Sequence, residues 1–186
     1  MSQKHIKSYY RFYGARHSVL QLGYLIDFEE ESDNANFLPR LRRVSHIGFP
    51  WLYEREKLLL WHRFIALFEP HLRDVEKIDS FYYETLLEAA KKWHKQSSKR
   101  LIVESFVKIL EYEGRLYPTN RCIVCNKEIT EEQFNLVNSL MPTHTFCSKG
   151  FEFTKEAINM LFAQKSTINL EDSEVEKLLP IILKGF

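Results

Sequence analysis

The two motifs CIVC (residues 122–125) and HTFC (residues 144–147) decide how the C-terminal part of this chain is interpreted. Each motif separates two candidate ligands by two residues, and together they use all three cysteines of the chain. A turn of this spacing places two ligand atoms on one side of a tight knuckle. Three thiolates and one imidazole fill the tetrahedral shell of a structural Zn²⁺. The predicted zinc ligands are Cys122, Cys125, His144 and Cys147.

Other interpretations of the three cysteines stay open on the sequence alone. One disulfide with a spare thiol requires an oxidising compartment, and nothing else in the chain has the character of a secreted protein. A redox CxxC pair normally follows a strand, which is not predicted before residue 122. A catalytic zinc keeps an open coordination position, and the acidic partner expected beside a deaminase histidine is absent after His144. The last alternative is that the cysteines bind no metal.

Composition narrows the class of protein. A chain of 186 residues, 45% of them hydrophobic, is long enough for one sizeable core or two small ones. The formal net charge of +1 gives no overall basic field, so binding to nucleic acid would depend on local clusters of cations. The first thirteen residues lack the apolar segment of a secretory signal, and no apolar run is long enough to span a membrane. We therefore expect a cytoplasmic protein.

The hydrophobic pattern predicts strands first and helices afterwards. Alternating residues predict strands over residues 7–16, 18–29 and 38–48, with Gly23 at the centre of the second, and hence a partial β-domain over residues 1–50. From residue 51 the period becomes helical, which predicts an all-α domain over residues 51–186 with the zinc knuckle inserted at 122–147. The expected helices cover residues 54–71, 79–95, 97–114 and 153–164 and a last segment from about residue 172. The fold class is therefore α+β.

Four segments resemble one known family when they are taken in order. They are YRFYGARHS (10–18), RLIVESFVKILEYEG (100–114), RLYPTNRCIVC (115–125) and PTHTFCSKG (142–150). Together they resemble the bacterial recombination mediators of the RecO family, and the resemblance covers nearly the whole chain. It implies an N-terminal OB-like barrel followed by a helical domain that holds a zinc site.

The resemblance also implies a function in DNA repair and recombination. RecO-like proteins bind single- and double-stranded DNA, anneal complementary strands and work with RecR to load RecA onto strands covered by single-strand-binding protein. They are mediators without catalytic activity, and they act in the cytoplasm at the nucleoid. No nucleotide-hydrolysis motif or recognisable nucleophile is present here, so we do not expect an enzyme.

Two departures from the family pattern are visible. Family members usually carry two further strands before this segment, so the resemblance implies a short form that lacks the first strands of the barrel. Four cysteines are common at the knuckle of the family, whereas this chain has His144 as one of the four. Histidine is an acceptable zinc ligand in place of cysteine.

The predicted DNA-binding residues are basic residues of the strand region. Basic side chains beside aromatic ones are typical of OB-type surfaces that hold single strands without reading sequence. On the residues alone, aromatic core positions and a solvated basic face explain the same pattern, and the resemblance favours DNA binding. The residues are Lys4, Lys7, Arg11, Arg16, Arg40, Arg42 and Arg43.

A second predicted surface would bind a protein partner. The resemblance implies that the helical domain carries a docking site for the acidic, Phe-ended tail of single-strand-binding protein. Such a site would have an apolar pocket and a basic rim. Lys99, Arg100 and Lys108 are the predicted rim residues, and an ordinary surface role explains them equally well. The alternative function is a zinc-stabilised helical scaffold that binds another protein and no nucleic acid. A hydrolase with a catalytic zinc would need a nearby carboxylate, which the sequence does not suggest.

Overall fold

The computed structural model describes residues 20–32 and 38–186. Within them the chain has five short strands and six helices, which confirms the predicted α+β class. It forms two compact units, the first ending at His94 and the second running from Lys95 to Phe186. The domain boundary predicted between residues 50 and 51 stays a prediction, and the contacts group the first three helices with the first two strands.

The first unit contains a two-stranded sheet and three helices. Strands β1 and β2 pair antiparallel, and a 3₁₀ turn at Pro50–Tyr53 leads into the helices. The elements are β1 (Leu25–Glu31), β2 (Arg40–Ile47), α1 (Arg55–Ala66), α2 (Phe68–His71) and α3 (Ser80–Lys92). The predicted strand 7–16 lies outside the described residues. Strand β1 begins later than predicted because Gly23 forms a turn with φ of 77°, closed by Tyr24 N donating to Gln21 O at 3.1 Å.

A cluster of tryptophans forms the core of the first unit. All three tryptophans of the chain lie in it, with ring centroids 4.9–5.9 Å apart, and each is at most 3% exposed. Each indole N–H donates to a backbone carbonyl: Trp51 to Ala90, Trp61 to Gly23 and Trp93 to Lys57. The cluster therefore joins the turn before β1, the 3₁₀ turn and helices α1 and α3 without leaving an indole N–H unsatisfied.

The predicted helix 54–71 is interrupted at Leu67. Pro70 lacks an N–H, and its ring crowds the carbonyl four residues earlier, that of Ala66, which is the last residue of α1. Leu67 N donates instead to Phe64 O at 3.2 Å, a tighter 3₁₀-like bond. The interruption therefore lies one turn before the proline that causes it.

The second unit is built around helix α4 (Ser98–Tyr112). Eight of its residues are buried, from Leu101 to Leu110, which explains the nearly continuous apolar sequence of this segment. Gly114, with φ of 67°, ends the helix region, and Arg115 N donates to Leu110 O at 2.7 Å. The other elements are β3 (Gln133–Val137), β4 (Met141–Thr143), β5 (Glu152–Thr154), α5 (Lys155–Gln164) and α6 (Asp172–Ile182).

A three-stranded antiparallel sheet, in the order β4-β3-β5, adds β structure to the region that was predicted to be helical. Its strands flank the two ligand motifs, because β4 ends at Thr143 and β5 begins at Glu152. No helix in the described ranges is long and apolar enough to cross a lipid bilayer.

Candidate metal centre

The first ligand motif is a hairpin knuckle. Arg121 and Glu128 form an antiparallel bridge at its base, and Cys122 N donates to Lys127 O at 2.9 Å. The turn is closed by Asn126 N donating to Cys122 O at 2.9 Å. Asn126 has φ of 59°, a left-handed conformation that asparagine tolerates better than most residues. This geometry turns both cysteine side chains towards the same side of the hairpin.

The second ligand motif follows directly from strand β4. His144 is the first residue after the strand, and Cys147 N donates to His144 O at 3.0 Å, which closes a tight turn. A backbone hydrogen bond of 2.9 Å from Ile123 N to Pro142 O attaches the first knuckle to the strand that carries the second. The two motifs, nearly twenty residues apart in sequence, therefore meet face to face.

The four predicted ligands form one cluster. Their ligand atoms all lie within 4.8 Å of one another, and Nδ1 of His144 lies 3.3 Å from Cys125 Sγ and 3.7 Å from Cys147 Sγ. A tetrahedral Zn²⁺ with ordinary bond lengths separates a sulfur and a nitrogen ligand by about 3.6 Å. The donor set and its spacing therefore fit a zinc ion. Four protein ligands fill its shell, as in structural rather than catalytic sites.

The imidazole of His144 is held in the orientation that metal binding requires. Its Nε2 lies 3.0 Å from the backbone carbonyl of Glu128, which can only accept, so Nε2 carries the proton. Nδ1 therefore presents its lone pair to the three sulfurs. The ring is 4% exposed and stacks on Phe146 with centroids 4.8 Å apart. Such a hydrogen bond from the far ring nitrogen fixes the tautomer of most metal-binding histidines.

Cys122, Cys147 and His144 have pKa values shifted in different directions. Burial opposes ionisation of Cys122, but hydrogen bonds from the backbone N–H groups of Cys125, His144 and Val124 outweigh it and lower the pKa to about 6. Burial, together with the neighbouring sulfurs, raises the pKa of Cys147 to about 11. The Glu128 carbonyl raises the pKa of His144. A divalent cation would compensate the charge of several thiolates at once.

The predicted DNA-binding residues fall into two groups. Lys4, Lys7, Arg11 and Arg16 lie outside the described residues. On β2, Arg40 is half-buried, whereas Arg42 and Arg43 are exposed. Arg42 Nε lies 2.6 Å from Glu31 Oε2, and Arg43 Nη1 lies 2.8 Å from Glu29 Oε1.

A β-bulge brings these two consecutive arginines to one face. Neighbours in a regular strand point to opposite faces, but the register of β1 and β2 shifts between Asp27 and Glu29. Arg43 lies at this irregularity with φ of 48°. Because Glu29 and Glu31 are two residues apart, they share a face of β1, and both guanidinium groups reach that face. The structure therefore places Arg42 and Arg43 side by side, opposite two carboxylates.

The predicted partner-binding residues all lie on α4 and have different surroundings. Arg100 donates to the backbone carbonyls of Thr167 and Leu170 and to Asp172 Oδ1, the last at 2.7 Å, which ties α4 to the start of α6. Lys99 pairs with Glu176 on α6. Lys108 is half-buried. These contacts give Arg100 a structural role, and its part in binding a partner stays a prediction.

Sequence reasoning missed the polar groups that lie beside the candidate metal centre. They are the Glu128 carbonyl, which bonds to the His144 ring, and Asn135, Thr143 and Ser148, which bond to one another. The Glu128 carbonyl is a backbone atom, so no residue type marks it. Thr143 and Ser148 immediately flank the second motif, and their positions beside His144 and Cys147 were the available signal. Asn135 on β3 was missed because strands of three to five residues were not predicted in this segment.

Comparison with known families adds one finding. Residues 1–52 match the family model RecO_N_2, described as RecO N terminal. The match covers less than a third of the 186-residue chain. No curated protein matches the chain. The match supports a RecO-like N-terminal region and, at the level of that family, a role in DNA repair and recombination.

Proposed function

We propose that this protein is a non-catalytic mediator of DNA repair and recombination whose second unit is stabilised by a structural zinc ion. The observation that carries the proposal is the match of residues 1–52 to the RecO N-terminal family model. The finer steps belong to the same proposal: binding of single- and double-stranded DNA, strand annealing, and loading of RecA with RecR on strands covered by single-strand-binding protein.

The paired arginines on β2 support contact with a DNA backbone. The Arg42 and Arg43 side chains are 55% and 80% exposed, and their glutamate partners are 42% and 59% exposed. Exposed ion pairs of this kind stabilise a protein by roughly 0–1 kcal/mol. Phosphates can therefore replace the carboxylates at small cost, and each replaced contact releases counterions from the DNA.

The zinc ion would be held by Cys122, Cys125, His144 and Cys147. When bound, it would cross-link the hairpin knuckle to the end of β4, in addition to the hydrogen bonds from Ile123 N to Pro142 O and from His144 Nε2 to Glu128 O. The chemistry supplied is structural: four filled positions leave no site for an activated water. The residues of the chain contribute the oriented imidazole and the backbone N–H groups that stabilise the Cys122 thiolate.

Fluorescence anisotropy with a labelled single-stranded oligonucleotide tests the DNA contact. We expect the affinity of the unmodified protein to fall as salt rises, and the double substitution Arg42→Gln and Arg43→Gln to weaken binding and reduce the slope of log K against log salt by about one per phosphate contact removed. Conversely, Glu29→Gln with Glu31→Gln should strengthen binding, since the competing carboxylates are removed.

The matched control is Arg73→Gln. Arg73 also forms an exposed ion pair, with Glu69 at 3.0 Å, but it follows helix α2 instead of lying on the sheet. It should leave DNA affinity nearly unchanged. A salt-independent affinity would exclude phosphate contacts through β2. Equal losses of affinity in the Arg42/Arg43 double variant and in Arg73→Gln would exclude them too.

The neutralisation of Arg42 and Arg43 by glutamates is the observation that favours the second candidate, a zinc-stabilised scaffold that binds only proteins. On that hypothesis the arginines serve the pairing of β1 with β2. Adding the protein would then leave the anisotropy of the labelled oligonucleotide unchanged even at low salt. The double substitution Glu29→Gln and Glu31→Gln would not create DNA binding.

A further inference from the structure

Beside the candidate metal centre, three polar side chains close a ring of hydrogen bonds. Asn135 Nδ2 donates to the backbone carbonyl of Ser148 at 2.8 Å. The Ser148 hydroxyl bonds to the Thr143 hydroxyl, and Thr143 Oγ1 lies 3.5 Å from the backbone carbonyl of Asn135. Either hydroxyl can donate in the bond between Ser148 and Thr143. Each residue therefore bonds to the next, and the ring is complete.

The ring lies in the interior of the second unit. Thr143 is 0% exposed and Asn135 is 2% exposed, and the two face each other across β3 and β4. Buried polar side chains cost free energy unless they are hydrogen-bonded, and a bonded network rigidifies its surroundings. Asn135 Oδ1 has no hydrogen-bond partner among the described residues, so this side chain is held through its Nδ2 donor. Asn135 is the central residue of β3, paired on its other side with Glu152 of β5. The ring is therefore anchored on the middle strand of the sheet.

The position of the ring gives it a specific consequence for the ligands. Thr143 and Ser148 are the residues that immediately precede His144 and follow Cys147. The segment between them is an arch that carries one ligand at each end. Tying the two hydroxyl groups together fixes the distance between the two ends of the arch. It also fixes the backbone N–H of His144, which lies 3.5 Å from Cys122 Sγ.

We propose that Asn135, Thr143 and Ser148 are positioning residues for the metal centre, holding His144 and Cys147 at the separation that a tetrahedral ion requires. This inference rests on the proposed zinc site. Groups that hydrogen-bond to a metal ligand typically change metal affinity about 10–100-fold when they are replaced, and we expect the lower end of that range here because the ring acts through the backbone. The ring touches no metal itself, so its effect passes through the two ligands that it flanks.

Titration of the full-length, reduced protein with Co²⁺ tests the proposal, because Co²⁺ reports both affinity and ligand geometry in its absorption spectrum. We expect Thr143→Val, which keeps the shape and removes the hydroxyl, to weaken Co²⁺ binding about tenfold or more. The visible bands that report tetrahedral geometry should change in shape. Ser148→Ala, at a half-buried position, should have a similar effect. The double variant should lose little more than either single variant, since both remove the same hydroxyl–hydroxyl bond.

Thr167→Val is the matched control. Thr167 belongs to the same unit, is 2% exposed, and donates its hydroxyl to Glu104 Oε1 at 2.8 Å. The change therefore removes an equally buried hydrogen bond away from the ligands, and Co²⁺ affinity and spectrum should stay as in the unmodified protein. Equal affinity losses in Thr143→Val and Thr167→Val, or no loss in either, would overturn the positioning role.

The same titration distinguishes failure of the zinc site from failure of the positioning role. If the unmodified protein shows no thiolate-to-Co²⁺ absorption, the zinc site itself fails and the positioning role with it. If the unmodified protein binds Co²⁺ through thiolates and Thr143→Val binds it equally well with the same spectrum, only the positioning role fails.

Discussion

The two units of this chain solve the same problem, how to hold short elements together, in different ways. The first unit packs all three tryptophans of the chain into one cluster, and the second unit brings all three cysteines together with one histidine. The tryptophan cluster is stabilised by apolar burial and by three indole hydrogen bonds. The cysteine cluster carries groups that repel one another once ionised, so we expect its stability to depend on a bound cation. Metal availability and pH should therefore affect the stability of the second unit far more than that of the first.

Loss of a metal ligand should destabilise the protein more than any other change considered for the two units. Structural zinc in small domains contributes about 10–16 kcal/mol of binding free energy, which is comparable with or larger than the whole stability of a typical domain. We expect Cys122→Ser to abolish stoichiometric zinc binding and to remove most of the hydrogen-exchange protection of β3 and β4. Zinc content by elemental analysis and peptide-resolved hydrogen exchange measure both effects.

Val124→Ser is the control for that variant. Val124 lies in the same knuckle, but it is 61% exposed and contributes no ligand. Its zinc content and exchange protection should match those of the unmodified protein. Full protection of β3 and β4 in Cys122→Ser would mean that the metal does not hold the second unit together.

The corresponding change in the first unit is smaller. Trp93 is 0% exposed and packs against both other tryptophans. Truncation of a buried tryptophan to alanine costs about 3–5 kcal/mol, because contacts are lost and a cavity remains. Trp93→Ala should therefore lower the urea midpoint, followed by the fluorescence of Trp51 and Trp61, without changing zinc content.

Tyr53→Ala serves as the control because Tyr53 is 94% exposed in the same unit. Such a surface change should alter stability by less than about 0.5 kcal/mol. A loss of zinc in Trp93→Ala would show that the two clusters are not separate sources of stability.

The two units should also differ in their response to pH. Metal binding must displace the proton of Cys147, because the pKa of this thiol is raised to about 11. The pKa of His144 is also raised, and at pH values below it metal binding must displace a proton from the imidazole as well. Cys122, with a pKa lowered to about 6, loses its proton without help at neutral pH. Apparent metal affinity should therefore rise with pH, by at least about tenfold between pH 7 and pH 8. The tryptophan cluster has no group that titrates in this range.

Competition with a chelator of known pH dependence measures this effect. The fluorescence-detected unfolding midpoint of the metal-free protein over the same range is the reference for the first unit. A metal affinity that does not change between the two pH values would mean that the thiols are already ionised before the ion binds.

The sequence predicted well those features that depend on local spacing. The clustering of Cys122, Cys125, His144 and Cys147 was predictable because each pair lies within four residues, where the turn itself determines which atoms meet. Helix α4 was found because seven of the ten positions from Leu101 to Leu110 are apolar, and it is buried as expected. Local rules also predicted Gly114 at the end of this helix, where a left-handed residue is required.

Features that depend on long-range contacts were not predictable. The hydrogen bonds of Arg100 reach residues about seventy positions later, so the sequence around Arg100 gives no sign of them. The bulge that brings Arg42 and Arg43 together depends on the pairing register with β1. The ring of Asn135, Thr143 and Ser148 requires the sheet, whose strands are too short to show a clear alternation.

The approach of Trp61 to Gly23 constrains how such a chain can vary during evolution. A Cβ atom at position 23 would lie 2.6 Å from the indole nitrogen of Trp61, closer than real contacts allow. A relative with a larger residue at position 23 would therefore need a smaller or displaced side chain at position 61. The two positions should change together or not at all, although nearly forty residues separate them.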